Sequence, residues 1–337
     1  MTDTLTTTRK DWVSNQEVRW CPGCGDYGIL MAVQMAMTEL GSDPDNTAFI
    51  SGIGCAARFP YYMNTYGMHS IHGRAPAIAS GLALSQPDLN VWVVGGDGDM
   101  LSIGGNHLIH AMRRNIDLTI LLFNNRIYGL TKGQYSPTSE EGKITKSSPM
   151  GSIDHPFNPI SLVLGADSSF VARTHDMDRR HMIDTFKLAH DHKGSSVVEI
   201  FQNCNVFNNG AYGEVTSKDR REEMIIDLHD GEPIRFGHEG SHGVIVDHGV
   251  AKIVETADVG VDALTVHHHD NPDPSVAFAL SRLASKPDAP TPMGVFRSIE
   301  RPVYGDVMEA QVTKAKADKG DGDIDALLHS LPTWEVD

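Results

Sequence analysis

Residues 90–130 read NVWVVGGDGDMLSIGGNHLIHAMRRNIDLTILLFNNRIYGL. Two apolar runs, 90–95 and 117–123, each end at or beside Gly or Asn, and the stretch Gly105–Arg114 between them has a helical pattern. A continuous apolar run bounded by turn residues predicts a strand buried on both faces, as in a parallel sheet. Asp97 and Asn125 are 28 residues apart, about one strand–helix–strand crossover. A crossover returns the chain to the same edge of the sheet, so the Asp97 carboxylate and the Asn125 amide oxygen are predicted to converge there. Both are hard oxygen ligands suited to Mg²⁺. The glycines around Asp97 admit a diphosphate close to the backbone, and the helix N-termini that follow favour its charge. The plainer alternative is a helix cap at Asp97 and an Asn-Asn turn.

The same alternation extends outward. Residues 46–52 (NTAFISG) and Ser195–Phe201 read as further strands, and 27–40, 76–84 and 181–192 as helices. In the first helix Leu30, Val33, Met37 and Leu40 fall on one face, with Gly41 placed to cap its end. The predicted fold class is therefore α/β, a doubly wound and mostly parallel sheet with its ligands at the carboxyl ends of the strands. Beyond about Val206 the texture changes to shorter elements rich in Gly, His and Asp. Residues 273–283 and 324–331 read as helices, and the charged, Gly-interrupted 314–323 as a mobile surface segment. The run His267–His269 is read as a surface strand end rather than a metal site, because no second spaced cluster accompanies it. The predicted division is an arm at 1–19, a binding domain at 20–210 and an extension at 211–337 that packs on the domain or on a partner.

The chain has 337 residues, 28 Lys and Arg against 44 Asp and Glu, and a formal charge of −16. That balance argues against sequence-independent binding to nucleic acid or to anionic membranes. No run reaches the length of a membrane span, and the polar start lacks a signal peptide's apolar core. Four cysteines in so long a chain make no disulfide framework, so the expected location is the reducing cytoplasm.

Those four are Cys21, Cys24, Cys55 and Cys204, each just before a predicted helix or just after a predicted strand. The spacing does not suit paired zinc knuckles, haem attachment would need His at position 25, and a thioredoxin-like pair leaves Cys55 and Cys204 unexplained. A solitary Cys is ordinarily a buried structural thiol. Taken as a set, the four are expected to hold a [4Fe–4S] cluster.

Gly96-Asp97-Gly98 followed by Asn124-Asn125 resembles the thiamine diphosphate motif. The resemblance implies that Asp97, Asn125 and the Ile127 carbonyl ligate Mg²⁺, and that Gly96, Gly98, Asp99, Gly129 and Leu130 line the diphosphate. With WCPGCGDYG at 20–28, SGIGC at 51–55 and HGRA at 72–75, the stretch from about Glu17 to Asn209 is similar to the β subunits of 2-oxoacid:ferredoxin oxidoreductases. The stretches 290–297 and 327–336 resemble that family's C-terminal extension. The similarity implies that Ile53, Gly54, Cys55, Ala56, His72, Gly73 and Arg74 lie against the cofactor, with the cluster near its thiazolium ring. It further implies CoA-dependent oxidative decarboxylation of a 2-oxoacid, reversible with a low-potential ferredoxin. An α subunit would supply the activating Glu and complete an α2β2 heterotetramer. The wording is most like the 2-oxoglutarate branch, with pyruvate and branched-chain acids as alternatives. Arg58, three residues after Cys55, is the candidate for the substrate carboxylate. A non-redox thiamine decarboxylase subunit is the second reading, and a cluster-carrying scaffold subunit the third.

Overall fold

The computed structural model describes residues 6–284 and 289–334. The strands in chain order are β1 (Thr47–Ser51), β2 (Tyr66–His69), β3 (Asn90–Gly96), β4 (Leu118–Asn124), β5 (Phe170–His175) and β6 (Ser195–Phe201). They are followed by β7 (Ile225–Leu228), β8 (Arg235–Phe236), β9 (His242–Asp247), β10 (Val250–Glu255) and β11 (Thr291–Ser298). Eight of them make one sheet in the order β2-β1-β3-β4-β6-β5-β11-β7. Every neighbouring pair in it is parallel except β11 with β5. The doubly wound, mostly parallel α/β fold expected from the alternation is present. A small antiparallel sheet, β10-β9-β8, stands apart.

Side-chain alternation explains why both faces are apolar. Val91 and Val93 of β3, with Leu118, Ile120 and Leu122 of β4, enter a core shared with the helices Ala75–Ser85 and Gly105–Arg114. Trp92 and Val94, with Leu121 and Phe123, enter the opposite core under Asp26–Leu40 and Arg179–Asp191. Period-2 alternation thus sends successive residues of one strand to two different cores. Trp92 is wholly buried, so truncation to Ala is expected to cost about 3–5 kcal/mol. The first helix ends at Gly41 (φ 64°), whose N–H reaches the Met37 and Thr38 carbonyls.

The remainder departs from the sequence reading in three places. Residues 314–319, read as mobile, form the last turns of the helix Tyr304–Lys319, held by a Lys314–Asp318 ion pair and stopped at Gly320. An i,i+4 pair supports a helix that propensity alone leaves marginal. His267 is not at the surface: it is 1% exposed and its Nε2 sits 2.7 Å from the Val295 carbonyl. Strands β7 and β11, from beyond residue 210, hydrogen-bond into the main sheet, so 20–210 does not close it alone. The arm packs Trp12, which is fully buried, against the Asp26–Leu40 side of the sheet. Residues 1–5 of the arm, and Glu335 and Val336 of the 327–336 stretch, lie outside the described residues. Among those described, no helix is long and apolar enough to cross a membrane.

Candidate functional site

The carboxyl ends of β1, β3 and β4 frame a cleft of about 390 Å³. Ile53, Gly54, Cys55 and Ala56 line it from beyond β1, and Gly96, Asp97, Gly98 and Asp99 from the end of β3. Asn125, Ile127, Gly129 and Leu130 line it from beyond β4, with His72 on a side loop. Gly73, Arg74 and Arg58 are not part of the wall. Gly73 (φ 72°) instead gives its N–H to Asp99 at 2.7 Å. Arg74 reaches the Ile103 carbonyl at 3.3 Å, and Arg58 the Arg19 carbonyl at 2.9 Å.

Two carboxylates two residues apart do different work. Asp99 Oδ1 accepts from the Ile53 and Gly73 N–H groups at 3.1 and 2.7 Å, and His72 Nδ1 lies 2.7 Å away. These contacts pin the β1 loop and the His72 loop to the end of β3. Gly52 and Gly95 are needed beside it, because a Cβ at either would meet the Asp99 carboxylate at 2.0 or 3.0 Å. Asp97 is 2% exposed, and its Oδ2 accepts from the Ser136 and Thr138 hydroxyls at 2.5 and 2.6 Å. Burial pushes both carboxyls above the usual carboxylate range, against the hydrogen bonds that pull them down. A buried carboxylate with one oxygen fastened and a cavity at hand fits a cation ligand, since a bound cation reverses that penalty.

Opposite it, Asn125 Oδ1 accepts from the Ile127 N–H at 3.2 Å, and its Nδ2 donates to Gln202 Oε1 at 2.8 Å. Arg126 takes a positive φ of 56° to make this bend, and its guanidinium sits 4.3 Å over the Tyr212 ring. The Tyr128 hydroxyl donates to the Gly98 carbonyl at 3.0 Å, with its ring where a Cβ on residue 98 would stand, 2.1 Å away. Glycine is therefore obligatory at 98 by packing as well as by any ligand's approach.

All four cysteines are free; Cys21 is exposed and the others are half-buried. The Cys21–Cys24 turn closes through Cys24 N–H to the Cys21 carbonyl at 3.0 Å over Gly23 (φ 83°). A Cβ at Gly129 would lie 3.5 Å from Cys55 Sγ and 3.7 Å from Cys204 Sγ, so both sulfurs border the same cleft-lining glycine. Cys204 lies near enough to Cys24 and Cys55, and Cys21 to Cys55, for their thiolates to repel if ionised, which puts the four in one neighbourhood. Burial, then the nearby Asp26 carboxylate, pushes the Cys55 thiol up to about 12 and Cys24 further in the same direction. Thiols so placed lose their protons only to a cation. The donor set therefore fits an iron–sulfur cluster. Asp26 itself is buried and pushed up to about 7, and the Trp20 indole N–H holds the Cys55 carbonyl at 2.7 Å.

Several of these groups escape a reading of the sequence. Ser136 and Thr138 look like ordinary turn residues in a Ser-Pro-Thr-Ser stretch, and Gln202 carries no motif of its own. Their only available signal was position: Ser136 and Thr138 follow shortly after the Asn124–Leu130 stretch, and Gln202 directly follows a predicted strand.

The sheet and this edge define a thiamine diphosphate-binding domain, and the family described as thiamine pyrophosphate enzyme, C-terminal TPP binding domain, matches residues 52–200. The chain is 56% identical to the 2-oxoglutarate oxidoreductase subunit KorB of Mycobacterium tuberculosis over 97% of its length and 88% of that protein. It is 45% identical to the 2-oxoglutarate synthase subunit KorB of Archaeoglobus fulgidus over 55% of this chain and 69% of that one. A solved 2-oxoglutarate:ferredoxin oxidoreductase from Magnetococcus marinus, with 2-oxoglutarate, coenzyme A and succinyl-CoA bound, superposes with TM-score 0.78 at 31% identity, covering 98% of both chains. The chain belongs to the β subunits of the 2-oxoacid:ferredoxin oxidoreductases, and is part of an enzyme that works with other subunits.

Proposed function

We propose that this β subunit, with an α subunit in an α2β2 heterotetramer, oxidatively decarboxylates 2-oxoglutarate. The balance is one 2-oxoacid, one CoA and two oxidised ferredoxins giving succinyl-CoA, CO2 and two reduced ferredoxins. The CoA thiol's proton is released and two electrons leave one at a time. When bound, thiamine diphosphate supplies the electron sink for decarboxylation, and a [4Fe–4S] cluster the one-electron carrier. Asp97, Asn125 and the Ile127 carbonyl hold Mg²⁺ in this reading. Gly96, Gly98, Asp99, Gly129 and Leu130, with Ile53 to Ala56 and His72, receive the cofactor, while Gly73 holds the His72 loop in place through Asp99. Cys21, Cys24, Cys55 and Cys204 hold the cluster.

One observation carries the proposal: Gly129 is on the wall of the cleft, and a Cβ built there would lie 3.5 and 3.7 Å from the sulfurs of Cys55 and Cys204, so both thiols border the cleft. A thiamine enzyme without redox chemistry has no use for that adjacency. The chain's own work is to orient: Ser136 and Thr138 fix one oxygen of Asp97, and Asp99 fixes the loops that carry Ile53 and His72. Relatives named for 2-oxoglutarate support that substrate, with pyruvate or a branched-chain acid as the competing choice. Arg58 remains the candidate for the substrate carboxylate, and must leave the Arg19 carbonyl to act so. The test is the anaerobically purified complex of both subunits: iron, sulfide and thiamine content, then ferredoxin reduction with 2-oxoglutarate and pyruvate. Iron and thiamine together, with CoA-dependent turnover of 2-oxoglutarate, are expected. Absence of iron, or a preference for pyruvate, overturns the corresponding part.

A further inference from the structure

The pairing of β4 with β6 places two functional residues side by side. Asn124 is in register with Phe201, and the Gln202 N–H continues the ladder to the Asn124 carbonyl at 2.9 Å. The next residues on each strand, Asn125 and Gln202, therefore leave the sheet together. Gln202 is fully buried. Its Oε1 accepts from Asn125 Nδ2 at 2.8 Å, and its Nε2 donates to the Asn203 carbonyl at 2.7 Å and to Cys24 Sγ at 3.3 Å.

Both amides are pinned in this sense by backbone groups. Ile127 N–H can meet only the oxygen of Asn125, and the Asn203 carbonyl can meet only the NH2 of Gln202. The direction of the chain is thus fixed: Asn125 gives to Gln202, and Gln202 gives to Cys24.

We propose that Gln202 is a positioning residue that joins the Mg²⁺ site to the cluster site, holding Asn125 by its carbonyl while its N–H raises the reduction potential of the cluster through Cys24. A hydrogen bond donated to a ligand sulfur stabilises the added negative charge of the reduced state, so the potential rises. A partner that orients a metal ligand is worth roughly 10- to 100-fold in metal affinity. One buried side chain performs both tasks because its two ends face different sites. The inference rests on the function proposed above.

The experiment uses the assembled complex of both subunits, with Q202L and Q202E beside the wild type. The midpoint potential comes from an EPR-monitored titration, and Mg²⁺ affinity from Mn²⁺ binding to thiamine diphosphate-loaded protein followed by EPR. Q202L is expected to retain iron and sulfide, to titrate at a more negative potential, and to bind the metal about tenfold more weakly. The exchangeable-proton coupling of the reduced cluster should diminish in the same variant. Q202E keeps an oxygen for Asn125 Nδ2 and loses the N–H donor, so its metal affinity should stay within about threefold while its potential falls. If Q202L fails to load a cluster, Q202E carries the decision. Potentials unchanged in a loaded variant, or metal affinity lost equally in both, would overturn the bridge. A wild-type complex lacking iron or thiamine would instead refute the proposed function.

Discussion

The edge formed by β1, β3, β4 and β6 and the tail Tyr304–Trp334 are built on opposite principles. At the edge polar groups are buried and fastened to neighbours: Asp97, Asp99 and Gln202 are each 2% exposed or less. In the tail, neither the helix Tyr304–Lys319 nor the helix Ile324–Leu328 buries a residue, and Leu327, Leu328, Leu331 and Trp334 are all at least 66% exposed. Buried polar groups are costly unless satisfied, so the edge tolerates few sequences and few geometries. The tail carries no such constraint within its own chain. Residues that look equally polar on paper therefore differ in what their loss does.

The largest expected effect is at Asp97. D97A should reduce thiamine diphosphate retained by the purified complex at least about 100-fold, which dialysis and cofactor assay would reveal. Retention near wild type would remove Asp97 from the metal site. C204S comes next: iron and sulfide should be lost while thiamine diphosphate remains, and loss of both would show that the two halves of the edge do not fold separately.

Acidity should also divide the regions. Burial holds His175, at the carboxyl end of β5, down to about 4 from 6.5. Between those values the unfolded chain binds a proton that the folded chain refuses, so stability falls as pH drops from about 6.5 towards 4. The full span is worth at most roughly 3.5 kcal/mol. H175Q should flatten that acid limb in denaturant melts, and an unchanged slope would assign the acid sensitivity elsewhere.

T138V should weaken Mg²⁺ binding by about tenfold, with T138S close to wild type, because only the hydroxyl on Asp97 matters. The smallest effect is expected from the tail. Truncation after Lys319 should leave iron and thiamine content unchanged, and a drop in either would make the tail part of the edge.

Legibility in the sequence followed the same division. Apolar runs ending in Gly or Asn marked β1, β3 and β4, and the apolar run after a helical stretch marked β6, to within a residue or so, because strands buried on both faces allow little else. The edge residues with fixed neighbours in sequence, Asp97-Gly98-Asp99 and Asn124-Asn125, were legible for that reason. Their distant supports were not. Ser136 reaches Asp97 and Gln202 reaches Cys24 only through tertiary contact, and short polar side chains look alike in a loop and in a buried network. His267 misled because a run of three histidines reads as surface, while packing buries one of them against β11. Strands β7 and β11 were missed because their partners lie across a crossover from β5 rather than nearby in sequence.

The register of β4 against β6 bears on how such a site could be transplanted. Moving the four cysteines onto another thiamine-binding scaffold would not carry the proposed electron-transfer function with them. The recipient's strand before Cys204 would have to leave its sheet in step with the strand before Asn125. A single inserted residue would turn the amide of residue 202 to the wrong face. What is portable is a pair of strands in phase, with the cysteines as its passengers.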